Sequence, residues 1–239
     1  MAHDDRQEAT SMGIVSNVSR AVYANLRQAI LAGQIAGGSR LHQGALARRY
    51  GVSITPVREA LSALVIDGLV DSTPYSGATV HQPTVREIDE VYQLRTALTP
   101  MLVEQSIESV TSGSLARATA IVERMTDPDF DGAWSEENRA FHRALEADCS
   151  NRQLVSVMNR LADLSLGYVA LSVATSQSRK VQASEEHRQL LDLFGQRDVD
   201  AATAVALSHI EATHKLVRDA LSSGSATDVE NAPSYTSRV

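Results

Sequence analysis

The stretch YGVSITPVREAL, Tyr50 to Leu61, constrains this chain more than any other. It sets Gly51 directly after one helix-like pattern and Ser53 and Pro56 at the start of another. Gly51 supplies a helix stop and Ser53 an N-cap. Pro56 falls in the first turn, where a missing N–H does no harm. Two readings are open at this point: a bend inside a globular core, or the turn and second helix of a helix-turn-helix.

The neighbouring residues favour the second. From Ser19, a plausible N-cap, Val22, Leu26, Ala29, Ile30 and Gly33 recur at helical spacing, and AGGSRL breaks the pattern. QGALARRY gives a short helix with Ala45, Leu46 and Tyr50 inward. A third helix runs from about Ile54 to Asp67 on Val57, Leu61, Leu64 and Val65, and Gly68 ends it. LVDSTPYSGATV reads as two short strands around a turn with Pro74 and Gly77. Three helices and a hairpin outline a winged helix-turn-helix over 18–82, after a flexible tail at 1–17.

That geometry exposes the first turn of the third helix, the part that enters a major groove, and its free N–H groups favour a phosphate. Arg58 lies one turn in and off the apolar stripe, within reach of base edges or phosphate. Arg40, Arg48 and Arg49 are candidates for the DNA backbone, though each is equally readable as an ordinary solvated charge. The net charge of −7 is no obstacle, because it is unevenly spread. Residues 19–82 hold six Arg against three acids, and 83–239 hold 15 Lys and Arg against 23 acids.

VYANLRQAILAGQIAGGSRLHQGALARRYGVSITPVREALSALVIDGLV, with a wing carrying Gly77, resembles the GntR-type regulators over residues 18–82. The resemblance implies that Ser53, Ile54, Thr55 and Gly77 join Arg40, Arg48, Arg49 and Arg58 at a double-stranded DNA operator. Two departures stand out. Ile54 occupies a position usually held by Arg, where it would meet a thymine methyl, and Gly44 one often charged. Tyr75 and Ser76 precede Gly77 where relatives are basic. Both departures relax the usual operator preference and the salt dependence.

After HQPT, Thr84 opens a capping box with Glu87, and nearly everything beyond reads as helix. Helices are expected at about 85–109, 114–126, 130–148, 152–173, 178–195 and 199–222, an antiparallel bundle over 83–222. Few aromatic residues and many Leu, Val, Ile and Ala suit helix-on-helix packing. The Ser-rich 223–239 is expected to be a disordered tail. Cys149 alone forms no internal disulfide and reads as a buried thiol. No apolar run approaches a membrane span and no signal peptide is visible, so a cytoplasmic protein with no membrane partner is expected.

Within the bundle, Asn138 and His142 are four apart on one helix face. His187 and His209 flank the turn near Gly195–Asp198, and at about 1.5 Å per residue they fall within roughly 5 Å of the same height. Three imidazoles and an amide oxygen could then meet inside the bundle, a set suited to zinc or a similar divalent ion. Taken singly, each histidine is as readily a surface or hydrogen-bonded residue.

The bundle resembles the FCD domain of the FadR subgroup, whose Asp/Asn-x-x-x-His motif and two later histidines match Asn138, His142, His187 and His209. Asn138 stands where metal-binding members commonly have Asp, which implies a weakened zinc or nickel site. The resemblance also implies a small carboxylate effector and places Arg95 in its pocket, although an ion pair with Asp89 or Glu90 would equally occupy that arginine. Thr99 replaces a usual Glu four residues on, and His214 has no counterpart and reads as surface. The expectation is a homodimeric, mainly α transcription regulator, a repressor switched by its effector, and not an enzyme. Two rivals are an effector-independent DNA-binding protein with a structural His cluster and a metal-dependent hydrolase.

Overall fold

The computed structural model describes residues 4–73, 77–127, 134–174 and 177–222. The described residues divide between Gln82 and Pro83 into two compact units.

In the first unit, α1 (Asp4–Leu31) buries Val22, Leu26, Ala29 and Ile30, the stripe read from the sequence except for Gly33, which lies past the helix end, exposed, at φ 70°. The helix begins at Asp4 rather than after Ser19. The sequence from Asp4 to Val18 holds no Pro, and Ala9 and Met12 are good helix formers, so no residue there breaks the helix. Ser19 lies inside the helix. β1 (Arg40–Leu41) follows, then α2 (Gln43–Tyr50) and α3 (Ile54–Ile66).

Gly51 ends α2 at φ 65°, a left-handed conformation that a Cβ would strain. Leu46 and Ala47 are the buried residues of α2, whereas Ala45 and Tyr50 are half-buried, so the inward face is rotated from the one expected. Ser53 occupies the N-cap position of α3 without a side-chain capping bond. Pro56, Val57, Ala60, Leu61 and Leu64 pack α3 inward. The Tyr23 hydroxyl donates to Asp67, tying α1 to the end of α3.

The wing has three strands rather than two. β2 (Val70–Thr73) and β3 (Gly77–Val80) pair antiparallel, and β1 adds to the other edge of β3, giving the order β1-β3-β2. A two-residue strand leaves no alternation to detect, which is why RL read as a break. Pro74, Tyr75 and Ser76 lie outside the described residues.

The second unit is helical: α4 (Val85–Ser109), α5 (Ser112–Thr126), α6 (Trp134–Glu146), α7 (Arg152–Ala174), α8 (Gln177–Gln196) and α9 (Val199–Ser222). The capping box is present in both halves. The Thr84 hydroxyl accepts from Glu87 N at 3.2 Å, and Thr84 N donates to the Glu87 carboxylate at 2.7 Å. α4 packs mainly on α9 and α7, α5 on α6 and α8, and α8 on α9.

The core runs through Val103, Ile107, Ala118, Val122, Phe141, Leu145, Leu190 and Phe194. Cys149 is fully buried beside Leu102, Leu154 and Met158. At the α8–α9 turn Arg197 takes φ 59°, and its guanidinium donates to the carbonyls of Ile107, Glu108 and Val110 at the end of α4. Among the described residues no helix is long and apolar enough to cross a membrane. The mainly α class, a winged helix-turn-helix followed by a helical bundle, is the one the sequence predicts; the segment 223–239 lies outside the described residues.

Candidate functional site

On the first unit, α3 presents Ser53, Ile54, Thr55 and Arg58 to solvent at its first turns, while Pro56 and Val57 anchor the opposite face. Ile54 is 53% exposed, a large apolar side chain left uncovered at the start of the helix. Arg48 and Arg49 are exposed in the last turn of α2, and Arg40 is exposed on β1. Gly77 opens β3, paired with Thr73.

On the second unit, α6, α8 and α9 bring three histidines together. Ring centroids are 5.2 Å apart for His142–His187, 5.2 Å for His142–His209 and 5.0 Å for His187–His209. One ligating nitrogen from each lies within 4.8 Å of the other two. Phe141 and Trp134 wall the cluster, with ring centroids 4.5 Å and 6.1 Å from His187.

Burial holds all three imidazoles below their usual pKa. His142 and His187 lie well below it, first through desolvation and then through their neighbours' charge. His209 is lowered by burial against an opposing pull from Glu186. Neutral imidazoles keep a lone pair for a cation.

A buried network fixes His209. Its Nδ1 donates to Glu186 Oε2 at 2.6 Å, leaving Nε2 for the cluster. Arg179 NH1 grips both Glu186 oxygens at 3.0 and 2.9 Å, and NH2 reaches Thr213 Oγ1 at 3.2 Å. Although desolvation opposes it, these partners hold the Glu186 carboxyl below its usual pKa. Carboxylate–imidazole pairs of this kind orient metal-ligating histidines.

The donor set fits a divalent cation. Asn138 Oδ1 and both ring nitrogens of His187 are buried without a hydrogen-bond partner among the described residues. Leaving such atoms unmatched costs about 1–3 kcal/mol each, and a cation would engage Asn138 Oδ1 and one of the His187 nitrogens.

Asn138, His142 and His209 line a cavity of about 100 Å³ that also touches Arg95, Arg139 and Glu146. Since one water needs roughly 10–15 Å³ of such space, the cavity has room for a small organic molecule. Arg95 reaches Ser165 Oγ at 3.4 Å and lies over the Tyr92 ring, 4.9 Å from its centroid; its Nε is buried without a partner among the described residues. The ion pair that could have occupied Arg95 goes elsewhere. Asp89 meets His214 and Arg218, and Glu90 meets Arg86. Thr99 is buried on the cavity wall and donates to Arg95 O at 2.8 Å.

His214 departs from the surface position expected of it. It is part-buried, stacked on Tyr92 at 4.6 Å and 2.7 Å from Asp89. Sequence reasoning missed Glu146, Arg179, Glu186, Arg139 and Trp134. The available signal was spacing: Trp134, Asn138, His142 and Glu146 recur every four residues along α6.

Comparison with known proteins gives two family matches. Residues 18–80 match the model of bacterial regulatory proteins, gntR family, and residues 90–212 match the FCD domain. The HTH-type transcriptional regulator BphR of Paraburkholderia xenovorans is 31% identical over 213 residues, covering 85% of this chain and 86% of that one. The HTH-type transcriptional repressor GlaR of Escherichia coli is 25% identical over 218 residues, covering 83% and 95%. The solved structure of E. coli McbR/YncC superposes with a TM-score of 0.76 at 23% identity, covering 84% of this chain and 97% of that one, a likeness of fold.

Proposed function

Because the chain belongs to the GntR family of DNA-binding transcriptional regulators and carries an FCD domain, we propose that its helical unit senses a small organic acid and thereby controls operator binding by its winged helix-turn-helix. The family sets aside the hydrolase alternative, since its members and the relatives of this chain are regulators rather than enzymes. The observation that carries the sensing proposal is the cavity, lined by Arg95 and by His142 and His209 of the histidine cluster, with buried polar atoms that no group among the described residues satisfies.

In this reading Asn138, His142, His187 and His209 hold a divalent ion such as zinc or nickel, and the neutral Asn138 makes the site weaker than an Asp would. Such an ion supplies a Lewis-acidic anchor for a carboxylate oxygen. Arg95 takes the carboxylate with its guanidinium fork. On the DNA side, Arg58 reads a base edge or phosphate, and Ile54, Ser53 and Thr55 face the groove. Arg40, Arg48, Arg49 and the backbone at Gly77 meet the phosphates. Two copies bind two half-sites. The sense of regulation is repression, as for the relative named a repressor. Release or capture of DNA requires the acid to bind two conformations unequally.

Metal analysis of the purified full-length protein, with a thermal-shift screen of small organic acids, tests the proposal. Bound metal and stabilisation by an acid are expected. A protein that takes up neither zinc nor nickel and is stabilised by no acid would return the histidines to a structural role.

A further inference from the structure

Among the described residues, most of the buried polar side-chain atoms without a hydrogen-bond partner, on Arg95, Ser106, Trp134, Asn138 and Glu146, belong to residues that line one cavity. Native interiors leave few such atoms, so a local concentration marks groups that a ligand satisfies. Asn138 and His187 are accounted for by the cation proposed above. Arg95 Nε and Trp134 Nε1 are donors only, and a carboxylate answers them.

Glu146 Oε2 is different in kind. In its ionised form it is an acceptor, buried on the same cavity, and it makes no hydrogen bond among the described residues. Of the three arginines whose charge acts on it, Arg139 donates to Asp163 Oδ1 at 3.3 Å and to Asn159 O at 3.0 Å, Arg143 donates to Asp163 at 3.3 Å, and Arg95 is the one the carboxylate takes. An acid with only carboxylate oxygens brings more acceptors and leaves Glu146 as it was. We infer that the ligand of this cavity carries a hydrogen-bond donor, a hydroxyl or an ammonium, which Glu146 Oε2 receives, and that Glu146 selects hydroxy or amino acids over their unsubstituted parents. This rests on the reading that the cavity takes a small carboxylate.

Size agrees with the chemistry. Glu146 follows His142 by four residues on α6, a rise of about 6 Å at 1.5 Å per residue. A ligand touching both ends of that turn is a three- to four-carbon acid, which a cavity of about 100 Å³ accepts. Burial also pushes the Glu146 carboxyl up to about 7, against the pull of Arg139, Arg95 and Arg143. An incoming donor offsets that desolvation by giving the charged form a partner.

The test uses full-length protein and two matched trios, propionate–lactate–alanine and succinate–malate–aspartate, titrated by calorimetry. In at least one trio a donor-bearing member is expected to bind at least about tenfold tighter than its parent. Glu146→Met should reduce that preference to within about twofold, while Arg95→Met should weaken every member alike. Glu146→Gln, which keeps an acceptor oxygen without charge, should retain a preference for the hydroxy acid and lose one for the amino acid. Equal binding within both trios overturns the role of Glu146 and leaves the carboxylate reading standing. Preference that survives Glu146→Met also overturns it. Absence of binding by all six acids overturns the carboxylate reading and this inference with it.

Discussion

His209 Nδ1 lies 2.6 Å from Glu186 Oε2, so the neutral imidazole carries its proton on Nδ1 toward the carboxylate and keeps the Nε2 lone pair free. The tautomer of one candidate ligand is thus set by the residue that directly precedes another, His187, on α8. Glu186 is in turn fixed by Arg179, so the orientation of His209 depends on a buried ion pair as well as on its own helix.

His187→Ala combined with His209→Ala should abolish zinc or nickel binding, and Asn138→Asp should tighten it by adding a charged oxygen. Glu186→Gln should weaken it by about 10–100-fold, the usual effect of removing such a carboxylate. Competition titration against a chromogenic chelator measures all three. Unchanged affinity in the double variant would place the ion elsewhere.

Metal affinity should hold as the pH is lowered from 7.5 to about 6 and fall only at more acid values. Burial keeps His142, His187 and His209 below the ordinary 6.5, so proton competition begins later than for exposed imidazoles. The same titration, repeated across pH, checks this; a midpoint at or above 6.5 would contradict it.

Glu146→Gln should stabilise the protein at pH 8 and have little effect at pH 5. A carboxyl whose folded pKa is raised to about 7 destabilises the fold as pH rises above its unfolded value near 4.5, with the full penalty present above about 7. At about 1.4 kcal/mol per tenfold change, that penalty is on the order of 3 kcal/mol. Urea unfolding of wild type and variant at the two pH values gives the difference directly.

Arg58→Ala should weaken specific operator binding by about 1–3 kcal/mol and leave the melting temperature unchanged. Its side chain is exposed on α3, away from the buried Val57–Leu61–Leu64 stripe. Fluorescence anisotropy on DNA recovered by selection with the full-length protein is the measurement. Undiminished affinity would shift the reading face of the helix.

Full-length protein should scatter light as a dimer at micromolar concentration, and residues 1–82 alone should bind the same DNA far more weakly. A single half-site forgoes the effective-concentration gain of two linked sites. A monomer that retains full affinity would contradict the two-half-site arrangement.

Much of this architecture was legible because its signals are local. The Gly51 stop, the Thr84–Glu87 box and the apolar period of the bundle helices depend on residues within one or two turns. The three histidines were legible for a related reason: four-residue spacing and a short turn between antiparallel helices fix relative heights without any knowledge of packing. β1 was not, since its pairing to β3 joins Arg40 to Thr79, residues far apart in the sequence.

Nor were Arg179, Glu186 and Glu146. A charged residue in a helix defaults to solvent, and only tertiary contact reveals that Arg179, Ala183, Glu186 and Leu190 form one buried stripe. Ser53 shows the converse. The residue type and position are right for a cap, but its hydroxyl makes no capping bond in the folded chain.

Trp134 closes the cavity wall beside His187, with its indole N–H buried and unmatched, and it is the one tryptophan in the chain. The protein therefore carries its own optical reporter at the point of interest. Whatever enters the cavity changes the polarity, hydrogen bonding or quenching felt by a single indole, and an open-shell ion such as nickel would dim it outright. Occupancy can be followed by ultraviolet emission from unlabelled protein, free of the overlapping signals that a second tryptophan would bring.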